Sequence, residues 1–159
     1  MTQVVGRSGR GNEKGTALVQ TVTPDNSVIN LAALQDYEKF YEQEILTRKI
    51  MIYPPYCELC VVGFVGEDKD KVKASAYSFF EKIKTLNEYK YPSVKMIILG
   101  PSAASIPRVN GKYRYRIIIK TKNTADFRRV ISTALIEFGK DRRNAKVTVY
   151  ADMNPDSIM

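Results

Sequence analysis

Near its start the chain carries Gln3-Val4-Val5-Gly6-Arg7-Ser8-Gly9-Arg10, a Q-x-x-G-R-x-G-R string. Two glycines let a loop turn tightly and bring its backbone close to a ligand. Two arginines three apart offer planar, permanently charged donors for phosphate oxygens. That chemistry suits an arginine finger, which stabilises charge developing on a transferred phosphoryl group. The same residue types also make ordinary basic Gly/Ser/Arg tails; the order of the string, immediately before a strand pattern, favours the finger.

A second group lies in Tyr113-Arg114-Tyr115-Arg116-Ile117-Ile118-Ile119-Lys120-Thr121-Lys122. Alternation places Tyr113, Tyr115, Ile117 and Ile119 on one face of a strand. Arg114, Arg116, Ile118, Lys120 and Lys122 take the other, with Arg108, Lys112 and Tyr150 expected nearby. Regularly spaced cations on a sheet match binding to a phosphate backbone, which carries little base specificity. The plain alternative is the solvated face of a half-buried strand. A third group, Arg128 and Arg129 with Lys140, Arg142 and Arg143, reads either as a dock for an acidic protein tail or as favourable charge around a helix end.

Cys57 and Cys60 are the only cysteines. With no histidine and no second pair, half a zinc site or a redox pair is the weaker reading. Two buried thiols are expected, on opposite faces of a strand.

Charge supports the nucleic-acid reading. The chain has 25 Lys and Arg against 17 Asp and Glu, a net charge of +8 and an isoelectric point near 9.5. Between Glu88 and Asp126 there is no acidic residue, yet eight Lys and Arg fall there. A merely solvated surface mixes signs. No apolar run approaches the roughly 18–20 residues of a membrane span, and no secretory segment opens the chain, so a cytoplasmic protein is expected.

The elements that must position these groups follow from hydrophobic period. Residues 1–15 read as a loop. Thr16 to Val22 reads as a short strand, which cannot stand alone, so a sheet beyond this chain is expected. Pro24 to Ser27 is a turn, and Val28 to Ile52 has one helical pattern ended by Pro54-Pro55. Then come a strand (56–65), a helix (69–88) and a strand (94–99). A loop containing Pro101, Pro107 and Asn110-Gly111 follows, then a strand (113–121), a helix (124–138) capped by Thr124, and a last strand (145–151). The expected fold class is α+β: an antiparallel four-stranded sheet with two helices on one face, order β-α-β-β-α-β. The expected divisions are 1–23, 24–55 and 56–159.

The string Gln3 to Arg10 resembles motif VI of second-superfamily helicases, and its continuation through Gly11 and Ala17-Leu18-Val19-Gln20-Thr21 resembles the PriA-type replication-restart helicases. So do Tyr37-Glu38-x-Phe40-Tyr41-x-x-Glu44, Arg48, Tyr53-Pro54-Pro55-Tyr56, Leu99-Gly100-Pro101 and Gly111-Lys112-Tyr113-Arg114-Tyr115. Asp152-x-Asn154-Pro155 matches with one departure, since that family more often shows D-x-D-P. The resemblance implies that Gln3, Gly6, Arg7 and Arg10 line an ATP cleft, with Arg7 or Arg10 nearest the γ-phosphate. It implies that residues 1–23 end a second helicase lobe, that 24–55 form a linker helix, and that 56–159 contact branched or single-stranded DNA. Single-strand-binding protein and other primosome proteins are the implied partners, and Arg128 and Arg129 the expected protein contact. ATP, magnesium and zinc are implied for the parent, the zinc cysteines lying upstream. The chain itself has no G-x-x-x-x-G-K-[ST] loop and no acidic magnesium partner. It is therefore expected not to hydrolyse ATP, although its parent would be an ATP-dependent 3′→5′ DNA helicase. The rival expectation is a stand-alone ribosomal-type RNA-binding domain.

Overall fold

A computed structural model describes residue 16 and residues 18–157. Gln3, Gly6, Arg7 and Arg10 lie outside them. The chain divides into two units, one ending at Met51 and the other beginning at Ile52. Among the described residues no helix is long and apolar enough to cross a membrane.

The first unit holds α1 (Ser27–Ala33) and α2 (Tyr37–Met51). Residues 18–23 form no strand: an isolated strand has no ladder partner for its N–H and C=O groups. The single helix expected over 28–52 is two. Gln35 takes a left-handed φ of 56°, which ends α1. The Asp36 carboxylate then accepts from the Lys39 N–H at 3.1 Å, a side-chain cap that restarts the helix at Tyr37. Neither helix buries a residue.

The second unit holds β1 (Glu58–Gly66), α3 (Lys69–Tyr89), β2 (Met96–Val109), β3 (Lys112–Thr121), α4 (Ala125–Lys140), a 3₁₀ turn at Arg142–Asn144 and β4 (Thr148–Met153). The sheet is antiparallel with order β2-β3-β1-β4, and the expected α+β plan holds. Asp68 and Thr124 cap α3 and α4 by accepting from Lys71 and Phe127 N–H groups. Cys60, Val62 and Phe64 of β1 and Ile117 and Ile119 of β3 meet Val72, Phe79 and Ile83 of α3 and Phe127, Val130 and Ile131 of α4. Phe64, Phe79 and Phe138 pack as a triangle with ring centroids 5.4–5.9 Å apart. Buried Asn144 is satisfied, accepting from Ser75 Oγ and donating to the Phe138 carbonyl.

The largest departure is β2. The segment past Leu99 does not form a loop; with register shifts it stays paired to β3 as far as Val109–Lys112. Asn110 and Gly111 both have positive φ, 49° and 78°, the geometry of a two-residue hairpin whose twist matches its strands. Asn110-Gly111 was the available signal for it.

Candidate nucleic-acid interface

The face of the sheet opposite the helices is built in rows across the strands. Arg114 pairs with Val65, which pairs with Thr148; Arg116 pairs with Gly63, which pairs with Tyr150; Ile118 pairs with Val61, which pairs with Asp152. The expected division of β3 is realised, since Ile117 and Ile119 enter the core while Arg114 and Arg116 stand half-buried on the other side. Lys112 and Lys122, at the two ends of the even row, are exposed.

Two expected members of this row are placed differently. Lys120 is only 7% exposed, and its ammonium lies 3.7 Å from the Tyr53 ring centroid. A cation held over an aromatic face and withdrawn from water is engaged within the protein rather than offered to a phosphate. Arg108 pairs with Tyr113 in register, and its guanidinium lies 5.0 Å from that ring's centroid. It therefore follows the odd row of β3, not the even one.

Tyr53 and Gly63, which the alternation of β3 does not point to, also belong to this face. The Pro54-Pro55 pair is expected to stop a helix, and the Tyr53 ring just before it covers the Lys120 end of the row. A glycine inside a strand pattern signals a close approach. Here a Cβ on Gly63 would fall 2.2 Å from Tyr150 Cζ, so the Tyr150 ring lies directly over the β1 backbone.

A cavity of about 670 Å³ lies beside the covered end, lined by Cys57, Lys95, Ile97, Lys120, Lys122 and Asp126 among others. Cys57 is only partly buried, contrary to expectation, and donates to the Ile52 carbonyl at 3.2 Å. Burial pushes its thiol up, against the lowering influence of Lys120. Cys60 is buried on the core side, where burial first and the Asp152 carboxylate second push its thiol to about 12. The two sulfurs serve different places, and among the described residues no group of three or more His, Cys, Asp or Glu could hold a metal.

Arg128 and Arg129 are exposed at the start of α4. Arg128 Nη1 donates to the Asn123 carbonyl and side-chain oxygens, both at 3.0 Å. Arg129 pairs with Asp126 at 2.8 Å. Asn154, where the resembled pattern has Asp, accepts from the Leu59 N–H at 3.0 Å and donates to Glu58 at 3.4 Å. An Asp could repeat the first bond only, because it would face the Glu58 carboxylate without a donor.

Residues 49–156 match the model of the primosomal protein N C-terminal domain, PriA_C. The chain belongs to that family. It is 34% identical to the replication restart protein PriA of Bacillus subtilis across its whole length, and covers 19% of that protein. Against the protein of the same name from Chlamydia trachomatis it is 34% identical over 98% of this chain and 20% of the relative. Against that of Synechocystis it is 32% identical over 99% and 18%. The chain thus spans about a fifth of the length of these PriA relatives. The PriA_C match takes in the whole sheet, including Arg114, Arg116 and Tyr150.

Proposed function

We propose that this chain supplies the DNA-binding face of an ATP-dependent 3′→5′ DNA helicase that restarts replication at stalled forks in the bacterial cytoplasm. The observation that carries the reading is the row of Arg114 and Arg116 on the helix-free face of the sheet, in a chain whose relatives are named replication restart proteins. Arg114, Arg116, Lys112 and Lys122 contact phosphates, while Arg108, over the Tyr113 ring in the other row, does not share that backbone. Phosphate contacts position a protein without reading sequence, as a protein that loads at forks of any sequence requires. Single-strand-binding protein and other primosome proteins are the proposed protein partners, through Arg128 and Arg129. Nucleotide and magnesium chemistry, and zinc binding, belong to the rest of the parent, to which Arg7 and Arg10 contribute the motif VI arginines beside Gln3 and Gly6.

The test is the salt dependence of binding. Each neutralised phosphate contributes about 0.9 to the slope of log K against log salt on duplex DNA. Arg114→Ala and Arg116→Ala should each lower the slope by about one unit on a forked and on a linear substrate alike. Lys120→Met should leave it unchanged, because that ammonium is held by Tyr53. An unchanged slope in the Arg114→Ala, Arg116→Ala double variant removes this face from DNA binding.

A further inference from the structure

We propose that Tyr150 is a stacking platform for one unpaired nucleobase of single-stranded DNA, with Arg116 and Arg114 holding the flanking phosphates. The inference rests on the reading that this face binds DNA, and adds which form of DNA it takes.

Tyr150 stands on the edge strand β4, in the row that runs through Gly63 to Arg116. An ideal Cβ at Gly63 would lie 2.2 Å from Tyr150 Cζ and 2.5 Å from both Cε1 and Oη. The outer half of the ring therefore rests on the β1 backbone in space that only a glycine leaves open. One side of the ring is covered by the sheet while the residue remains 43% exposed. Tyr150 is outside the hydrophobic core and outside the residues packed against it. A rigid aromatic surface held against a sheet, with cationic residues in and beside its row, has the two parts of a single-strand site: a π-face for the base and guanidinium groups for the backbone.

The surroundings define the rest. A recess of about 70 Å³ is bordered by Val61, Arg114, Arg116, Tyr150, Asp152 and Pro155. It is too small to swallow a nucleoside, so the base lies on the ring. Asp152, the acidic residue of this face, pairs with Val61 one row away from Arg116. Its carboxylate repels phosphate on that side, which sends the backbone toward Arg114 and Thr148. Duplex DNA does not fit this arrangement, since both faces of each paired base are already stacked on neighbours.

The chain contains no tryptophan, so Tyr150→Trp places a single indole at the platform. The whole chain is titrated with a dT oligomer, an abasic oligomer of equal length and charge, and a duplex. The dT oligomer should quench the indole and the abasic one should not. Tyr150→Ala should weaken dT binding by roughly 5- to 100-fold, the range of base–aromatic stacking, while leaving abasic binding and the salt slope unchanged. Gly63→Ala should do the same with the phenol retained, because its methyl group displaces the ring; circular dichroism confirms that the variant is folded. Equal affinity for dT and abasic oligomers, or a Tyr150→Ala chain that binds dT like the parent, overturns the proposal. If that result comes with reduced salt slopes in Arg114→Ala and Arg116→Ala, stacking alone falls. If those slopes are also unchanged, the DNA reading falls with it.

Discussion

At the scale of single residues, the two cysteines show how far type and spacing reach. The C-x-x-C spacing implies two buried thiols on opposite faces of a strand, but β1 begins at Glu58, so Cys57 precedes the strand and Cys60 points into the core. The start of the strand, which no local pattern marks, leaves Cys57 only partly buried. The consequence is a pH dependence. Burial raises the Cys60 thiol from 9.0 to about 12, so above pH 9 the unfolded chain loses a proton that the folded chain keeps. Stability therefore falls as pH rises from 9 toward 12, by at most about 1.4 kcal/mol per unit from this group. Urea midpoints of the chain and of Cys60→Ala, measured from pH 8 to 10.5, should converge as pH increases. Parallel curves would show that the thiol titrates in the folded state as it does in the unfolded one.

At the scale of elements, apolar period made the β1–α3 and β3–α4 order legible, together with the Thr124 cap, because helix stripes and strand alternation are local. What escaped was set by distant partners. Residues 18–22 find no strand to pair with among the described residues, while the proline-containing segment after Leu99 becomes strand because β3 lies alongside. The α1–α2 break rests on one left-handed residue, Gln35, and one cap, Asp36, inside a continuous helical pattern. Alternation assigned Lys120 to the right face of β3 but could not show that Tyr53, 67 positions earlier, closes over it. That contact ties the segment preceding β1 to the C-terminal end of β3. A withdrawn cation–π pair contributes about 2 kcal/mol, so a double-mutant cycle of Tyr53→Leu and Lys120→Met should give a coupling of about 1–2 kcal/mol by urea denaturation. Strictly additive effects would show that Tyr53 merely lies near the lysine.

At the scale of the whole molecule, the question is how the work of the parent divides along its sequence. An arginine finger acts only on a nucleotide already held by a phosphate cradle and a metal ion. On the proposed reading Arg7 and Arg10 act on a nucleotide that the rest of the parent holds, since the sequence shows no G-x-x-x-x-G-K-[ST] loop. Two outcomes follow, and each checks the other. The chain should release no phosphate from ATP above the uncatalysed rate, with or without single-stranded DNA and magnesium, in a coupled phosphate assay. In the proposed parent helicase, Arg10→Ala should lower DNA-stimulated turnover by about 10³-fold or more if Arg10 is the finger, while nucleotide affinity changes far less, because the finger's charge is matched to the transition state rather than to bound ATP. A parent Arg10→Ala that hydrolyses ATP normally would move the role to Arg7 or out of the string. An equal loss in affinity and turnover would make Arg10 a ground-state phosphate contact. The proposed DNA-binding face should be indifferent to Arg10→Ala, since the sheet lies in a unit that begins at Ile52 and carries its own core.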